Sequence, residues 1–406
     1  MRVGLYGFFG MGNLGNEGSL AAVLAHLRAH HPDVEVVCFG ADPVQVEREH
    51  GIPGRRLMAY RAAPGDRRPV TQLRKVLGRV WDLPRTAGLV GSVDVLAVPG
   101  TGVLESRLMS TPWGLPYWMA VAFTVSRVRR RPAALVSVGA EPATRRSTRL
   151  LMARTIRAAR HVSYRDESSR AAAASMGTTG RPGTVAPDVA FLLPDPVGVP
   201  VRPGHVAVGV MTFLGGADDP GRGEEVLDRY VERMTEALTR LVGRGRTVTL
   251  LVGDRADVVL AERLEAAVRR RCPDAGPAAV TTSRADDLAG LMAEMAAAEV
   301  VVASRFHNVI CALKAARPVV SLGYAGKNRV LLEQFGLVGF DQPIDDVDVD
   351  RLVADVEDLA SRSAELGAAV AAARDAVEAR AAEHVEAVCE ALLSAAPRQG
   401  RRRRSG

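Results

Sequence analysis

The stretch Ala303-Ser304-Arg305-Phe306-His307-Asn308 sets a guanidinium and an imidazole two positions apart, between a valine run and an apolar segment. An Arg offers a planar fork matched to phosphate or carboxylate. A His is the side chain best suited to move a proton near neutral pH. Val300-Val301-Val302 reads as a buried strand and the residues from Val309 to Ala316 as a helix. Arg305 and His307 are therefore expected at a strand's C-terminal end, where open α/β sheets bind ligands. One strand–helix–strand unit later, Tyr324-Ala325-Gly326-Lys327 follows the run Val319 to Leu322. Successive parallel strands usually lie side by side, so Arg305, His307 and Lys327 are expected to converge. Singly, a His before a helix is more often structural and a Lys on a turn is often solvated. Together, at successive strand exits, they favour a site.

Two further segments carry chemistry. Val162-Ser163-Tyr164-Arg165-Asp166-Glu167 is another strand exit; Arg165 either faces a ligand or pairs with Asp166 or Glu167, and Asp188 of Pro187-Asp188 is placed to orient it. The loop Gly7 to Gly18 contains Gly12-Asn13-Leu14-Gly15-Asn16-Glu17 and joins a strand to a helix. Its glycines let backbone approach a ligand, and a helix N-terminus favours anions. The bland reading is a tight turn with Asn13 or Ser19 capping the helix. A dinucleotide fingerprint is weakly supported, because no acidic residue ends the second strand; Asp42 lies just beyond Gly40.

Strands must position these groups. Runs at Val3 to Tyr6, Val34 to Phe39, Asp94 to Val98, Ala134 to Val138 and His161 to Tyr164 alternate with helical stretches. After a proline-rich passage the alternation restarts at Val206 to Val210, a helix near Glu224 to Leu241, and Thr247 to Val252. This pattern predicts two Rossmann-like, doubly wound α/β domains. We place them at 1–198 and 204–345, followed by C-terminal helices over 346–396 and a basic disordered tail over 397–406.

The 406 residues exceed what one core usually supports, which also argues for two domains. The chain is 47% hydrophobic, so sizeable cores are available. Its four cysteines are dispersed, with no CxxC pair or His at metal spacing, which argues against a disulfide framework or structural zinc and fits a reducing compartment. Neither a signal-peptide h-region nor an apolar run of membrane-spanning length is seen, and a cytoplasmic location is expected. The run Arg401-Arg402-Arg403-Arg404 supplies four of the net +7 charges, leaving +3 (7 less 4) for the rest. A balance that small does not argue for nucleic-acid binding. The tail itself is expected to be a disordered solubilising segment, with a peripheral contact for anionic lipid or RNA as the alternative.

Taken together, Gly12 to Glu17, Pro99 to Gly102, Tyr164-Arg165-Asp166-Glu167, Pro187-Asp188, Ser304-Arg305-Phe306-His307 and Tyr324 to Lys327 resemble the polysaccharide pyruvyl transferase family. The resemblance implies two facing Rossmann-like domains of the GT-B type, the first taking the acceptor and the second the donor. It implies transfer of pyruvate from phosphoenolpyruvate onto two hydroxyls of a saccharide, or of a lipid- or nucleotide-linked sugar, as a cyclic ketal. Arg305 and Arg165 would then hold the donor's phosphate and carboxylate. His307 would be an acid/base, Lys327 would neutralise phosphate or donate a proton, and Asn13, Asn16, Phe306 and Tyr324 would line the substrate. The family's loop usually reads Gly-Asn-x-Gly-Asp, whereas Asn16 stands at the Asp position here; Asn cannot take a proton, so either Glu17 substitutes or the acceptor, or even the reaction, differs. Such enol-ether chemistry calls for anion clamps, an acid and a base, and no metal or redox cofactor.

Two other readings stay open. A GT-B glycosyltransferase using a nucleotide sugar would need a Glu toward the ribose, for which Glu333 is the nearby candidate. An inactive anion-binding homologue is motivated by Asn16. The acceptor is not named by the sequence. It depends on loops at 107–117 and 213–223, where Met109, Trp113, Tyr117 and Trp118 are as readily core or interface residues as sugar platforms.

Overall fold

The computed structural model describes residues 1–57, 68–105, 113–215, 222–324 and 326–397. Met109, Ala325, the Arg-rich tail and most of both acceptor-rim loops lie outside the described residues. The chain divides into two compact units. Unit 1 comprises Met1–Met11, Ser19–Leu192 and Arg380–Gly406; unit 2 comprises Gly12–Gly18 and Leu193–Ala379.

In chain order, the first part contains β1 (Arg2–Tyr6), α1 (Leu14–His30), β2 (Glu35–Gly40), α2 (Pro43–His50), β3 (Gly54–Arg56), α3 (Arg68–Gly91) and β4 (Val95–Pro99). It continues with α4 (Leu115–Val128), β5 (Ala133–Val138), α5 (Arg146–Ala158), β6 (His161–Tyr164), α6 (Glu167–Ala173) and β7 (Thr184–Val185). These strands form one parallel sheet in the order β3-β2-β1-β4-β5-β6-β7. The order reverses direction between β1 and β4, the switch point of a doubly wound sheet.

Because helices cover both faces, the central strands are continuous apolar runs rather than alternating ones. The alternation reappears in which core each residue joins. Leu96 and Val98 of β4 pack with Trp118, Phe123 and Leu135. Val95 and Ala97 face the other way, with Leu20, Leu24 and Val136. Val385, Val388 and Leu392 of the C-terminal helix complete that second core.

The second half contains β8 (His205–Val210), α7 (Gly223–Gly243), β9 (Thr247–Val252), α8 (Val258–Arg271), β10 (Val280–Thr282), α9 (Leu288–Ala296) and β11 (Val300–Ala303). Then follow α10 (Phe306–Lys314), β12 (Val319–Gly323), α11 (Lys327–Gln334), β13 (Asp341–Pro343), α12 (Val349–Ser361) and α13 (Ser363–Ala395). Its six strands are again all parallel, in the order β10-β9-β8-β11-β12-β13, with the switch point between β8 and β11. The two doubly wound sheets expected from the alternation are therefore present. The C-terminal helical stretch is two helices, broken at Arg362. Among the described residues, no helix is long and apolar enough to cross a membrane.

Candidate active site

Three strand exits of unit 2 meet at one end of its sheet. β11 leads through Ser304 to Arg305, which occupies the N-cap position of α10. The helix thus begins at Phe306, a turn earlier than the apolar pattern suggests, and places His307 in its first turn. The Arg305 guanidinium does not stand alone. Its Nε and Nη2 donate to the two oxygens of Asp257 at 2.6 and 2.8 Å, while Nη1 lies 3.8 Å from Asp254. The Asp257 side chain is fully buried and also accepts from the Thr212 backbone at 2.9 Å. Burial acts against the Arg305 charge, but the hydrogen bond and charge of Asp257 outweigh it and hold the guanidinium above its ordinary value. Two of its five N–H donors are used by Asp257, and Nη1 faces Asp254.

The acidic pair comes from the exit of β9, where Asp254 caps a short turn by accepting from Ala256 at 3.0 Å. Asp254 also receives the Asn13 side-chain amide at 2.9 Å, and Leu14 donates to the Gly253 carbonyl at 3.1 Å. Asn13 therefore does two things. Its amide ties the glycine loop to β9, and its carbonyl accepts the Asn16 backbone N–H at 3.1 Å, capping α1. The capping role foreseen for Asn13 is real; Ser19 instead donates to the Gly100 carbonyl at 3.0 Å.

Gly15 shows why this loop is glycine-rich. A Cβ there would lie 2.2 Å from His307 Nδ1, closer than any side chain can be tolerated. The backbone of the first turn of α1 thus abuts the imidazole. Asn16 is half-buried in that turn and Glu17 is buried.

β12 delivers the remaining groups. Lys327 is 8% exposed, with its ammonium 4.9 Å from the centre of the Tyr324 ring and 5.6 Å from that of Phe306. Tyr324 stacks on Phe213 at 6.1 Å, and Phe306 meets the His307 ring edge-on at 5.8 Å. Both rings lie within cation–π range of the ammonium. Arg305, Phe306, His307, Tyr324, Lys327 and Asn13 therefore share one end of this sheet, where the N-termini of α10 and α11 also add positive potential.

Arg165 belongs to unit 1, at the exit of β6. Its side chain is 2% exposed and enclosed by carboxylates: it bonds Glu105 and lies 3.5 Å from Asp188 and 3.6 Å from Asp166. Asp166 also caps α6, and Glu167 pairs with Arg170 rather than Arg165. Gly102 and Gly139 leave the space that this cluster fills, since a Cβ at either would sit 2.7 Å from Glu105 or Arg165 atoms. Burial pushes the Asp188 carboxyl up to about 6, with Arg165 pulling it back toward the usual range. Folded protein thus keeps a proton that the unfolded chain has lost between about pH 4 and 6. Stability is expected to fall as pH rises through that window, by on the order of 2 kcal/mol. Urea titrations across it should show the slope, and Asp188→Asn should remove it.

Asp254, Asp257 and Glu105 escaped the sequence reading. The available signal was Gly253-Asp254-Arg255-Ala256-Asp257 directly after a valine-rich strand, another strand exit. Of the aromatic residues considered as sugar platforms, Trp118 is core: it is 4% exposed and donates to Asp82 at 2.6 Å. Tyr117 is half-buried with its hydroxyl on the Arg79 carbonyl at 3.2 Å, whereas Trp113 is exposed. Glu333 is half-exposed on α11 and lies 3.9 Å from Arg329. Asp42 caps α2.

Comparison with solved structures places this architecture among two-sheet, GT-B-like proteins that handle nucleotide sugars in their own right. A putative UDP-N-acetylglucosamine 2-epimerase from Listeria monocytogenes superposes with a TM-score of 0.62 at 13% identity, covering 98% of each chain. Anabaena HepE, in complex with UDP-glucose, superposes at 0.60 with 14% identity, over 97% of this chain and 100% of its own. The UDP-GlcNAc 2-epimerase from Neisseria meningitidis, bound to UDP-GlcNAc, gives 0.57 at 9% identity, over 97% and 100%. At such identities the likeness is one of fold. No curated protein matches the chain in sequence. A family model does match, over residues 13–326, from the Asn13 cap to the residue before Lys327. The chain belongs to the polysaccharide pyruvyl transferase family.

Proposed function

We propose that this protein transfers pyruvate from phosphoenolpyruvate onto two hydroxyls of a saccharide, releasing phosphate. The observation that carries this reading is the grouping of a guanidinium, an imidazole and an ammonium at adjacent strand exits of unit 2. Membership of the pyruvyl transferase family supports it.

The donor is a trianion, and its recognition needs fixed cations. Arg305, locked by Asp257, binds it with its remaining donors, and Lys327 meets the phosphate. His307 gives a proton to the methylene carbon, so C2 becomes electrophilic. A sugar hydroxyl adds to C2 and loses its proton to a base, a role we assign to Glu17. The C2–O bond to phosphate then breaks, phosphate leaves with the electron pair, and the second hydroxyl closes the ketal. One proton enters the methyl group and two leave the hydroxyls, one of which restores His307 while the other leaves on hydrogen phosphate. Charge separation in this sequence is stabilised by groups held in place beforehand, which is where most of the rate comes from.

The test is phosphate release from phosphoenolpyruvate that depends on an added glycan, across free, lipid-linked and nucleotide-linked acceptors. Release only with a nucleotide sugar as donor would replace this reading by glycosyl transfer. Sustained turnover of any kind eliminates an inactive homologue.

A further inference from the structure

From Leu77 onward, α3 of unit 1 has two unlike faces. Gly78, Asp82, Thr86 and Val90, spaced by four, are buried. On that face Asp82 accepts from Trp118 Nε1 at 2.6 Å and from Arg79 at 3.3 Å, and the Arg79 guanidinium lies 4.4 Å from the centre of the Trp118 ring. The helix is thereby fixed against α4, and its other side is fixed facing water. That other side is apolar. Leu77, Val80 and Trp81 are 50%, 63% and 69% exposed, and Pro84 follows them at helical spacing. Trp113 adds an exposed indole on the neighbouring segment: its ring lies 6.1 Å from that of Tyr117, whose hydroxyl donates to the Arg79 carbonyl. Large apolar side chains grouped on one side of a helix in water mark a surface that another medium covers.

Charge decides which medium. Residues 55–85 carry nine Lys and Arg against two Asp, a net of +7 (9 less 2). That equals the net charge of the whole chain, so all other residues together sum to zero. One of the two acids is Asp82, turned inward and paired. Arg55 and Arg85 are exposed, and Arg85 is held by donating to the Arg56 carbonyl at 3.1 and 2.9 Å. We propose that α3 docks this protein on an anionic phospholipid bilayer, with Leu77, Val80 and Trp81 at the boundary of headgroups and acyl chains and the arginines of the same stretch toward lipid phosphate. Aliphatic and Trp side chains beside a dense basic charge are what a helix lying in that interface requires. A second copy of the chain would cover the apolar side, but a two-fold contact sets the same positive stretch against itself. A nucleic acid would satisfy the arginines and leave leucine and valine in water. The docking surface is independent of the reaction assigned above.

The experiment sediments the full-length chain with vesicles of phosphatidylcholine alone and of phosphatidylcholine mixed with phosphatidylglycerol. Binding is expected to the mixed vesicles only, and to weaken as salt is raised. Val80→Glu combined with Trp81→Glu, at exposed positions, should lower the partition coefficient at least about 30-fold, from about 5-fold for each charge set against the surface. The combined Arg401→Ser, Arg402→Ser, Arg403→Ser and Arg404→Ser variant should still sediment with the mixed vesicles. Brominated acyl chains should quench indole emission in the wild type and less in Trp81→Phe, a reading that does not depend on the double variant. Failure to sediment with the mixed vesicles overturns the proposal, and dimerisation in its place would assign the face to a second copy. Binding that survives Val80→Glu with Trp81→Glu overturns it too, as does binding that vanishes in the tail variant or quenching unchanged by Trp81→Phe.

Discussion

Asp257→Ala is expected to cost roughly 3 kcal/mol of stability and to remove donor binding with it. The carboxylate is fully buried and takes both the Nε and Nη2 hydrogens of Arg305. Removing one partner of such a pair strands the other charge, and that loss exceeds what the pair contributes relative to apolar replacements. The Thr212 backbone N–H loses its acceptor as well, which adds the cost of an unsatisfied buried donor. The free guanidinium then swings away from the orientation in which its remaining donors face a ligand. Denaturant unfolding reads the first effect and KM for phosphoenolpyruvate the second. Asp257→Asn, which keeps one acceptor but no charge, should fall between. Unfolding within about 0.5 kcal/mol of the wild type, the range of an ordinary surface change, would show that the pair does not organise this end of the sheet.

The second large effect is on turnover alone. His307→Gln should lower kcat by roughly 10²- to 10⁴-fold, the usual contribution of a positioned acid or base. Stability should change little, because the side chain is half-buried in the first turn of α10. A matching loss in kcat/KM with unchanged KM would mark an interaction made in the transition state. If kcat holds and only KM rises, His307 binds substrate without moving a proton.

These two residues also show where the sequence was readable. His307 was legible because strand and helix signals flank it: a run of β-branched residues from Val300 to Val302, then apolar residues at helical spacing. Such periodicity is local and survives without tertiary context. Asp257 was not legible. Its partner is 48 residues away, and pairing at that distance leaves no trace in spacing. The same reason hides Asn13 on Asp254, 241 residues apart.

Chemistry by type alone did better at Asn13, since an Asn before a helix is a favoured cap. Arg165 shows the opposite lesson. A guanidinium at a strand exit reads as an anion clamp, yet three carboxylates enclose this one. Two of them, Asp166 and Asp188, were visible as neighbours or candidates, but Glu105 became apparent only when β4 and β6 were seen one strand apart.

Short strands were missed for a simpler reason. β7, β10 and β13 span two or three residues, too few for any alternation to register. They pair at sheet edges because a neighbouring strand presents unpaired backbone groups, not because of their side chains. The break between α12 and α13 at Arg362 likewise has no proline or glycine to announce it.

Phosphoenolpyruvate carrying ¹⁸O in the bridge between C2 and phosphorus tests the central claim most directly, with ³¹P NMR following the phosphate released in the presence of an acceptor glycan. Transfer through attack at C2 breaks the carbon–oxygen bond, so the label should appear in phosphate while the glycan gains a methyl ketal. Label retained in free pyruvate, with unlabelled phosphate and no ketal, would mean water attacks phosphorus and would contradict the account.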